Sequence, residues 1–267
     1  MTARQTLSLI PALLLLASCD DLLKSATSSG GGKKGGSIAE ELRIASESKP
    51  EIVAAFEAIS KATQEHNRAL LQNIESNGPA NGAAFTAGIG HLDRAAREHG
   101  GLAKQVIDAV NSTWVYEKTL FVPFDTMSRQ IAGMDTWSKD QAVKIRGWVQ
   151  IIDQQTDTFN QAIAYLERGE MPLLRQNFDK HRVPREVADE FLRLRELYSK
   201  DVATWELEMF REGRSSMQCY RDALTTADPA KAKELLDQAR QHEQKSKENE
   251  GKMVAAIRAQ LGAAGLL

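Results

Sequence analysis

Residues 138–169 read SKDQAVKIRGWVQIIDQQTDTFNQAIAYLERG, and a row of mostly apolar side chains recurs in them at alternating intervals of three and four residues. The row consists of Ala142, Ile145, Val149, Ile152, Thr156, Phe159, Ile163 and Leu166. Such spacing places one face of an α-helix against a neighbouring helix, as in an antiparallel helical bundle. Ser138 suits the N-cap of this helix, and Gly169 followed by Pro172 predicts its end.

The same period recurs elsewhere in the chain. One row follows Pro184, which suits a first helical turn, and another lies between Pro50 and the turn at residues 77–79. The two rows are Val187, Phe191, Leu194, Tyr198, Val202, Trp205 and Met209, and Ile52, Phe56, Ile59, Thr63, His66, Leu70 and Ile74. A last helix is expected to begin at residues 228–229 and to continue to about Leu261.

The remaining regions are less regular. Residues 80–101 contain several glycines and predict a loop followed by a short helix from His91 to Glu98. Another helix begins near Leu102 and should break or kink at Pro123. The chain is rich in strong helix formers and has only 7 prolines and 4 tyrosines. We therefore predict an all-α fold, an elongated antiparallel bundle of about five to seven helices without sheet.

An apolar run near the N-terminus has the properties of a processing signal. It extends from Leu7 to Ala17, is interrupted only by Ser8 and Pro11, and follows the basic residue Arg4. A helix needs about 20 apolar residues to cross the hydrocarbon core of a bilayer, and this run has about 11. Its length therefore indicates the apolar region of a signal peptide, with an uncleaved anchor as the alternative.

The end of this run resembles the lipobox of bacterial lipoprotein precursors. The four residues concerned are Leu16-Ala17-Ser18-Cys19. The resemblance implies a diacylglycerol on the Cys19 thiol, cleavage between Ser18 and Cys19, and acylation of the new amino group, so that membrane lipid is one partner of the chain. Two or three acyl chains give stable membrane anchoring, whereas one does not. An ordinary secretory signal with a cysteine near its cleavage site is the alternative.

The two residues after the cysteine bear on the destination. Asp20 and Asp21 follow Cys19 directly. The same resemblance implies retention at the periplasmic face of the inner membrane, because an aspartate in this position resembles an inner-membrane sorting signal. The periplasmic face of the outer membrane is the alternative.

The chain divides into three parts. Residues 1–18 are the predicted signal peptide, residues 19–37 the lipidated cysteine with a linker, and residues 38–267 one helical domain. Positions 24–37 read KSATSSGGGKKGGS, which offers almost no apolar side chain and predicts a flexible tether. Its lysines either contact anionic lipid head groups or simply keep the linker soluble.

Composition and motifs exclude several functions. The chain has 34 basic and 36 acidic residues and a net charge of −2, which argues against a nucleic-acid partner bound through a basic surface. It contains no motif of a serine hydrolase, nucleotide-binding loop, zinc protease or covalently bound haem. None of its histidines follows a glutamate by three positions, as carboxylate-bridged metal sites in bundles require. We expect no enzyme, cofactor or metal.

Polar residues interrupt two of the apolar rows. His66 lies next to Thr63 in the N-terminal row, and His242, Ser246 and Asn249 lie in the last helix; Thr156 occupies the central row. These side chains could form one polar layer that binds a small molecule or metal. A satisfied structural layer or a solvent-facing row are the alternatives.

Cys219 is the only thiol besides Cys19. Its position between Met217 and Tyr220 in a predicted helix favours a small buried residue. An intermolecular disulfide in the oxidising periplasm is the alternative.

These observations predict a lipid-anchored periplasmic protein that serves as a non-enzymatic interaction or scaffolding module, with an envelope protein as a second partner. The alternative is a periplasmic protein that binds a small molecule or metal in the polar layer. An enzyme whose site follows no known motif is a third hypothesis.

Overall fold

The computed structural model describes residues 50–76, 78–133 and 141–263. All secondary-structure elements in these residues are helical. Some residues with predicted roles lie outside this part of the chain, namely Ser18, Cys19, Asp20, Asp21 and Ser138.

The helices follow one another with short connections. They are α1 (Pro50–Glu75), α2 (Ala80–Glu98), α3 (Gly101–Phe121), α4 (Phe124–Gly133), α5 (Gln141–Ala164), a π-helical turn (Tyr165–Gly169), α6 (Glu170–Lys180), α7 (Arg185–Thr225) and α8 (Pro229–Ala263). Because α5, the π turn and α6 form one continuous rod, the described part of the chain contains seven helical rods. The all-α helical bundle predicted from the sequence is confirmed.

Proline and capping residues set several of the predicted boundaries. α1 begins at Pro50, and α7 begins directly after Pro184. α8 begins at Pro229, and Asp228 Oδ1 accepts a hydrogen bond of 2.9 Å from the Ala230 amide in its first turn. α3 ends two residues before Pro123, which confirms the predicted break.

The predicted helix end at Gly169 and Pro172 is wrong. The helix continues through the π turn, in which the Glu170 amide bonds to the Tyr165 carbonyl. Pro172 then lies in the first turn of α6, directly after the π turn, so here a proline is accommodated within a continuous helix.

The predicted loop before His91 is also wrong, because α2 is a continuous helix from Ala80. Gly88 lets α2 and α3 pack closely, because a Cβ there would lie 2.1 Å from Cζ3 of Trp114 on α3.

The N-terminus of α2 is capped by another helix. The amides of Asn81 and Gly82 donate to the Asp125 carboxylate at 3.1 and 2.7 Å. A residue of α4 thus caps α2, and the chain before α2 gives no sign of this.

The helices pack both on their neighbours in the chain and on helices further along it. α1, α2 and α3 pack on one another, α6 packs on α3, and α5 packs on α7. α7 and α8 form the α7–α8 arm, a long antiparallel pair with the most extensive contact in the described chain. No helix among the described residues is both long and apolar enough to cross a membrane.

Phenylalanine side chains join four helices in the core. Phe124 lies 5.1 Å from Phe210 and 5.2 Å from Phe159, measured between ring centroids, and Phe121 lies 5.9 Å from Phe210. All four rings are inaccessible to solvent. The predicted rows supply further core residues, including Phe56, Ile59, Ile163, Val187, Phe191, Val202 and Met209. Ala142, at the start of the central row, is exposed.

Candidate ligand site

Four polar side chains are buried together beside the π turn. Glu117 comes from α3, Tyr165 from the π turn, Glu170 from α6 and Arg195 from α7, and each is at most 8% exposed. We call them the Glu117 cluster. Burying ionisable groups is costly unless they are paired, so their arrangement decides what they can do.

Two hydrogen-bonded pairs make up this cluster. The Tyr165 hydroxyl donates to Glu117 Oε1 at 2.6 Å. Arg195 donates from Nε to Glu170 Oε1 at 2.6 Å, and its Nη2 bonds to the same oxygen. The π turn makes this possible, because the Glu170 amide bonds to the carbonyl five residues earlier and stacks Glu170 above Tyr165.

The protonation of Glu117 follows from this environment. Burial raises the pKa of its carboxyl well above the ordinary value, and the nearby Glu170 charge raises that pKa further, while Arg195 opposes both effects. Burial and the same carboxylates raise the pKa of Tyr165, which keeps its proton. Two carboxyl groups share one guanidinium, so Glu117 holds its proton to higher pH than an exposed glutamate does.

A groove of about 850 Å³ lies between the π turn and α7, with Glu170 in its lining. We call it the π-turn groove. Its apolar lining consists of Leu166, Met171, Pro172, Ala203 and Leu207. Its polar lining consists of Glu167, Arg168, Glu170, Arg193, Glu196 and Thr204. This volume lies within the range of small-molecule sites.

Most charged groups at the groove rim are paired. Glu167 accepts from Arg211 at 2.6 Å, and the Arg193 guanidinium contacts Glu190 at 2.7 Å. Arg168 Nη2 lies 3.8 Å from Glu167 Oε2, although the Arg168 side chain is 82% exposed. Among the lining carboxylates, Glu196 is exposed, whereas the Glu170 side chain is only 11% exposed and joins the groove to the buried cluster through Arg195.

The histidine predicted in the N-terminal row is buried among aromatic rings. His66 packs edge-on against Phe85 and Trp114, with ring centroids 5.1 and 5.4 Å away. Neither ring nitrogen has a hydrogen bond of normal geometry to a described residue. Burial lowers the pKa of His66 to about 3, and the backbone of Ala84 offsets part of this effect.

The polar residues predicted in the last helix lie elsewhere. His242 Nδ1 lies 2.6 Å from Glu212 Oε2 on α7, and the Ser246 hydroxyl donates to the Met209 carbonyl at 3.1 Å. Asn249 is half-buried and accepts from Lys252 at 3.3 Å. These contacts belong to the α7–α8 arm. Within the described residues no hydrogen bond, ion pair or ring contact joins them to His66, so these interactions do not link the four side chains in one layer.

The other singled-out residues have local partners. Thr63 and Thr156 each donate to the carbonyl four residues earlier, at 2.9 Å. Cys219 is a partly exposed free thiol in α7, and burial raises its pKa.

The sequence contained a signal for the Glu117 cluster that was missed. Glu117 follows Thr113 by four positions and Arg195 follows Phe191 by four, so both charges continue apolar rows. A charged residue on such a row is either a helix-edge residue or half of a buried pair. The partners here are 48 and 25 residues away in the chain, which no local pattern reveals.

Within the described residues, no group of three or more histidine, cysteine, aspartate or glutamate side chains is arranged to hold a metal ion. Comparison of the chain with protein-family models, with curated proteins and with solved structures finds no match.

Proposed function

We propose that this chain is a lipid-anchored protein of the bacterial cell envelope and that its helical domain is a non-enzymatic interaction module. The lipobox resemblance at residues 16–19 and the glycine-rich tether behind it support the anchor. Asp20 and Asp21, directly after Cys19, favour the periplasmic face of the inner membrane, with the periplasmic face of the outer membrane as the alternative.

The α7–α8 arm carries the proposal of an interaction module. α8 packs along α7, contributes Met253, Ile257 and Leu261 to the core, and bonds through Arg258 to Glu75 of α1 at 2.8 Å. The remaining face of α8 is exposed and carries charges of both signs, among them Lys231, Glu234, Asp237, Arg240, Lys245 and Glu248. A long helix with one free, charge-patterned face is suited to docking against helices of another protein.

Site-specific crosslinking in cells tests this function. A photoreactive amino acid replaces Gln241 on the exposed face of α8, and the matched control replaces Gln176, an exposed glutamine on α6. We expect a discrete crosslinked partner from position 241, which disappears in a Cys19→Ala background. Absence of such a species, or the same species from both positions, contradicts the proposal.

A second candidate function is the binding of a small molecule, and the π-turn groove favours it. The groove combines apolar walls with a buried carboxylate at its base. This candidate replaces the predicted polar layer as the place where a ligand would bind. A groove-filling Ala203→Leu variant provides the test, as described below.

A further inference from the structure

We infer that the π-turn groove binds an amphipathic organic cation, whose ammonium group pairs with Glu170 while its apolar body lies along Leu166, Met171 and Leu207. This inference rests on the ligand-binding function proposed above. It adds the chemical class of the ligand and the residue that recognises its charge.

The charge balance of the Glu117 cluster favours a cation. The cluster contains two carboxyl groups and one guanidinium, that of Arg195. One further positive charge would allow both carboxylates to be ionised. Without a ligand, the proton of Glu117 compensates the second carboxylate, and a ligand ammonium can take over that role.

Glu170 is placed to receive this charge. Both described bonds from Arg195 reach Oε1 of Glu170, and no described hydrogen bond uses Oε2. Glu170 also lines the groove, although its side chain is only 11% exposed. An ammonium group at the base of the groove would therefore meet a carboxylate that is largely shielded from water, where ionic contacts are stronger than at the surface.

The rest of the groove disfavours an anion. Arg193 is paired with Glu190 at 2.7 Å, and Arg168 lies 3.8 Å from the Glu167 carboxylate. An anionic ligand would face Glu170 without an unpaired described guanidinium beside it. The apolar side chains of the walls fit an alkyl body, and the methionine adapts to its shape.

Proton release is a consequence of this geometry. The described groups that act on Glu117 are Glu170 from α6, Arg195 from α7 and Tyr165 from the π turn. A cation beside Glu170 offsets the negative charge that this residue exerts on Glu117. Cation affinity should therefore rise with pH while Glu117 loses its proton.

Calorimetric titration of the full lipidated chain in nanodiscs tests the inference, with empty nanodiscs as the blank. Hexylammonium, hexanol and hexanoate share one apolar body and differ in charge. We expect hexylammonium to bind at least about tenfold more tightly than the other two, as expected for a charge recognised by a carboxylate. Ala203→Leu, which fills the groove, should weaken its binding by at least about tenfold.

Variants at the acidic residues complete the test. Glu170→Gln should abolish the preference for hexylammonium, and Glu234→Gln on α8 is the matched control away from the groove. Circular dichroism checks that Glu170→Gln remains folded. In Glu117→Gln, the affinity for hexylammonium should no longer depend on pH between 5 and 8.

The outcomes separate the two proposals. If all three probes bind equally and Ala203→Leu abolishes their binding, the groove is a ligand site but the inference of a cation is overturned. If none of the probes binds, the ligand-binding function fails together with the inference. Equal effects of Glu170→Gln and Glu234→Gln also overturn the assignment of Glu170.

Discussion

At the scale of single residues, burial acts on two ionisable side chains in opposite directions. His66 is fully buried among aromatic rings, and its pKa falls to about 3. Glu117 is almost fully buried beside a second carboxylate, and its pKa rises. Both groups are therefore held in their neutral forms, which is the form that a poorly solvated interior favours. Each makes stability depend on pH with its own sign.

The His66 effect destabilises the fold in acid. The unfolded chain binds a proton at His66 below about pH 6.5, whereas the folded chain does so only near pH 3. The contribution of neutral His66 to the free energy of unfolding is therefore fully present above about pH 6.5. About 3 kcal/mol of this contribution is lost by pH 4.

We expect His66→Leu to remove most of this acid-linked loss, as measured by urea unfolding at pH 7 and pH 4. Phe85→Leu is the control, because it shrinks the same aromatic cluster without changing a titratable group. If both variants lose the same stability between the two pH values, the role given to His66 is wrong.

The Glu117 effect has the opposite sign. Because the folded chain keeps this proton at pH values where the unfolded chain has lost it, the associated stability is present below about pH 4.5 and is lost as pH rises through the raised pKa. Glu117→Gln imitates the protonated carboxyl. Urea unfolding between pH 5 and pH 9 should show that the free energy of unfolding of the wild-type chain declines as pH rises. The Glu117→Gln variant should lack this decline.

Glu117→Ala serves as the comparison for that measurement. It removes the acceptor of the Tyr165 hydroxyl and leaves a cavity, so it should lower stability at every pH, by roughly 1–3 kcal/mol. If the free energy of unfolding of Glu117→Gln declines with pH as steeply as that of the wild-type chain, another group causes the decline.

At the scale of helices, the sequence predicted those elements whose own residues determine them. The three-and-four periodicity identified α1, α5, α7 and α8, and the prolines marked the starts of α1, α7 and α8. The failures occurred where the deciding partner is distant in the chain. Gly88 looks like a loop residue until Trp114 is known to lie against it, and Asp125 caps α2 from another helix.

The contrast between two glycines of α2 makes this testable. A Cβ at Gly88 would collide with Trp114, whereas a Cβ at Gly90 would have no atom within 4 Å. Gly88→Ala should therefore lower the free energy of unfolding by about 1–3 kcal/mol through overpacking. Gly90→Ala should be neutral or raise it by up to about 1 kcal/mol through helix propensity. Thermal and urea unfolding of the two variants provide the measurement. Equal changes in the free energy of unfolding for Gly88→Ala and Gly90→Ala would refute the packing argument.

At the scale of the whole molecule, the sequence predicted the fold class better than the candidate site. An all-α bundle follows from composition and period, which are local properties. The Glu117 cluster depends on contacts across four elements, and the π turn that aligns Tyr165 with Glu170 has no simple sequence signature. The predicted polar residues were real interruptions of apolar rows, but His66 and His242 have partners in different parts of the bundle.

The membrane anchor is a separate prediction for the whole chain. If Cys19 carries the acyl chains, Cys19→Ala should move the protein from the membrane to the soluble fraction and change its electrophoretic mobility, because the anchoring lipid is lost. Cys219→Ala is the matched control, since it removes the only other thiol. A Cys19→Ala protein that still sediments with membranes at unchanged mobility would exclude lipidation.

α7 is so long that a small tilt of the helix at one point moves its far end. Its 41 residues form a helix of about 60 Å, and its groove-lining residues lie between Arg193 and Leu207, in the first half and middle of the helix. α8 pairs with it from Trp205, beside the groove, to Tyr220 near its C-terminal end. The C-terminal end of α7 lies about 27 Å beyond Leu207, so a tilt of about 10° at the groove would displace that end by about 5 Å. If a ligand in the groove tilted α7, the tip of the α7–α8 arm would therefore move further than the groove itself.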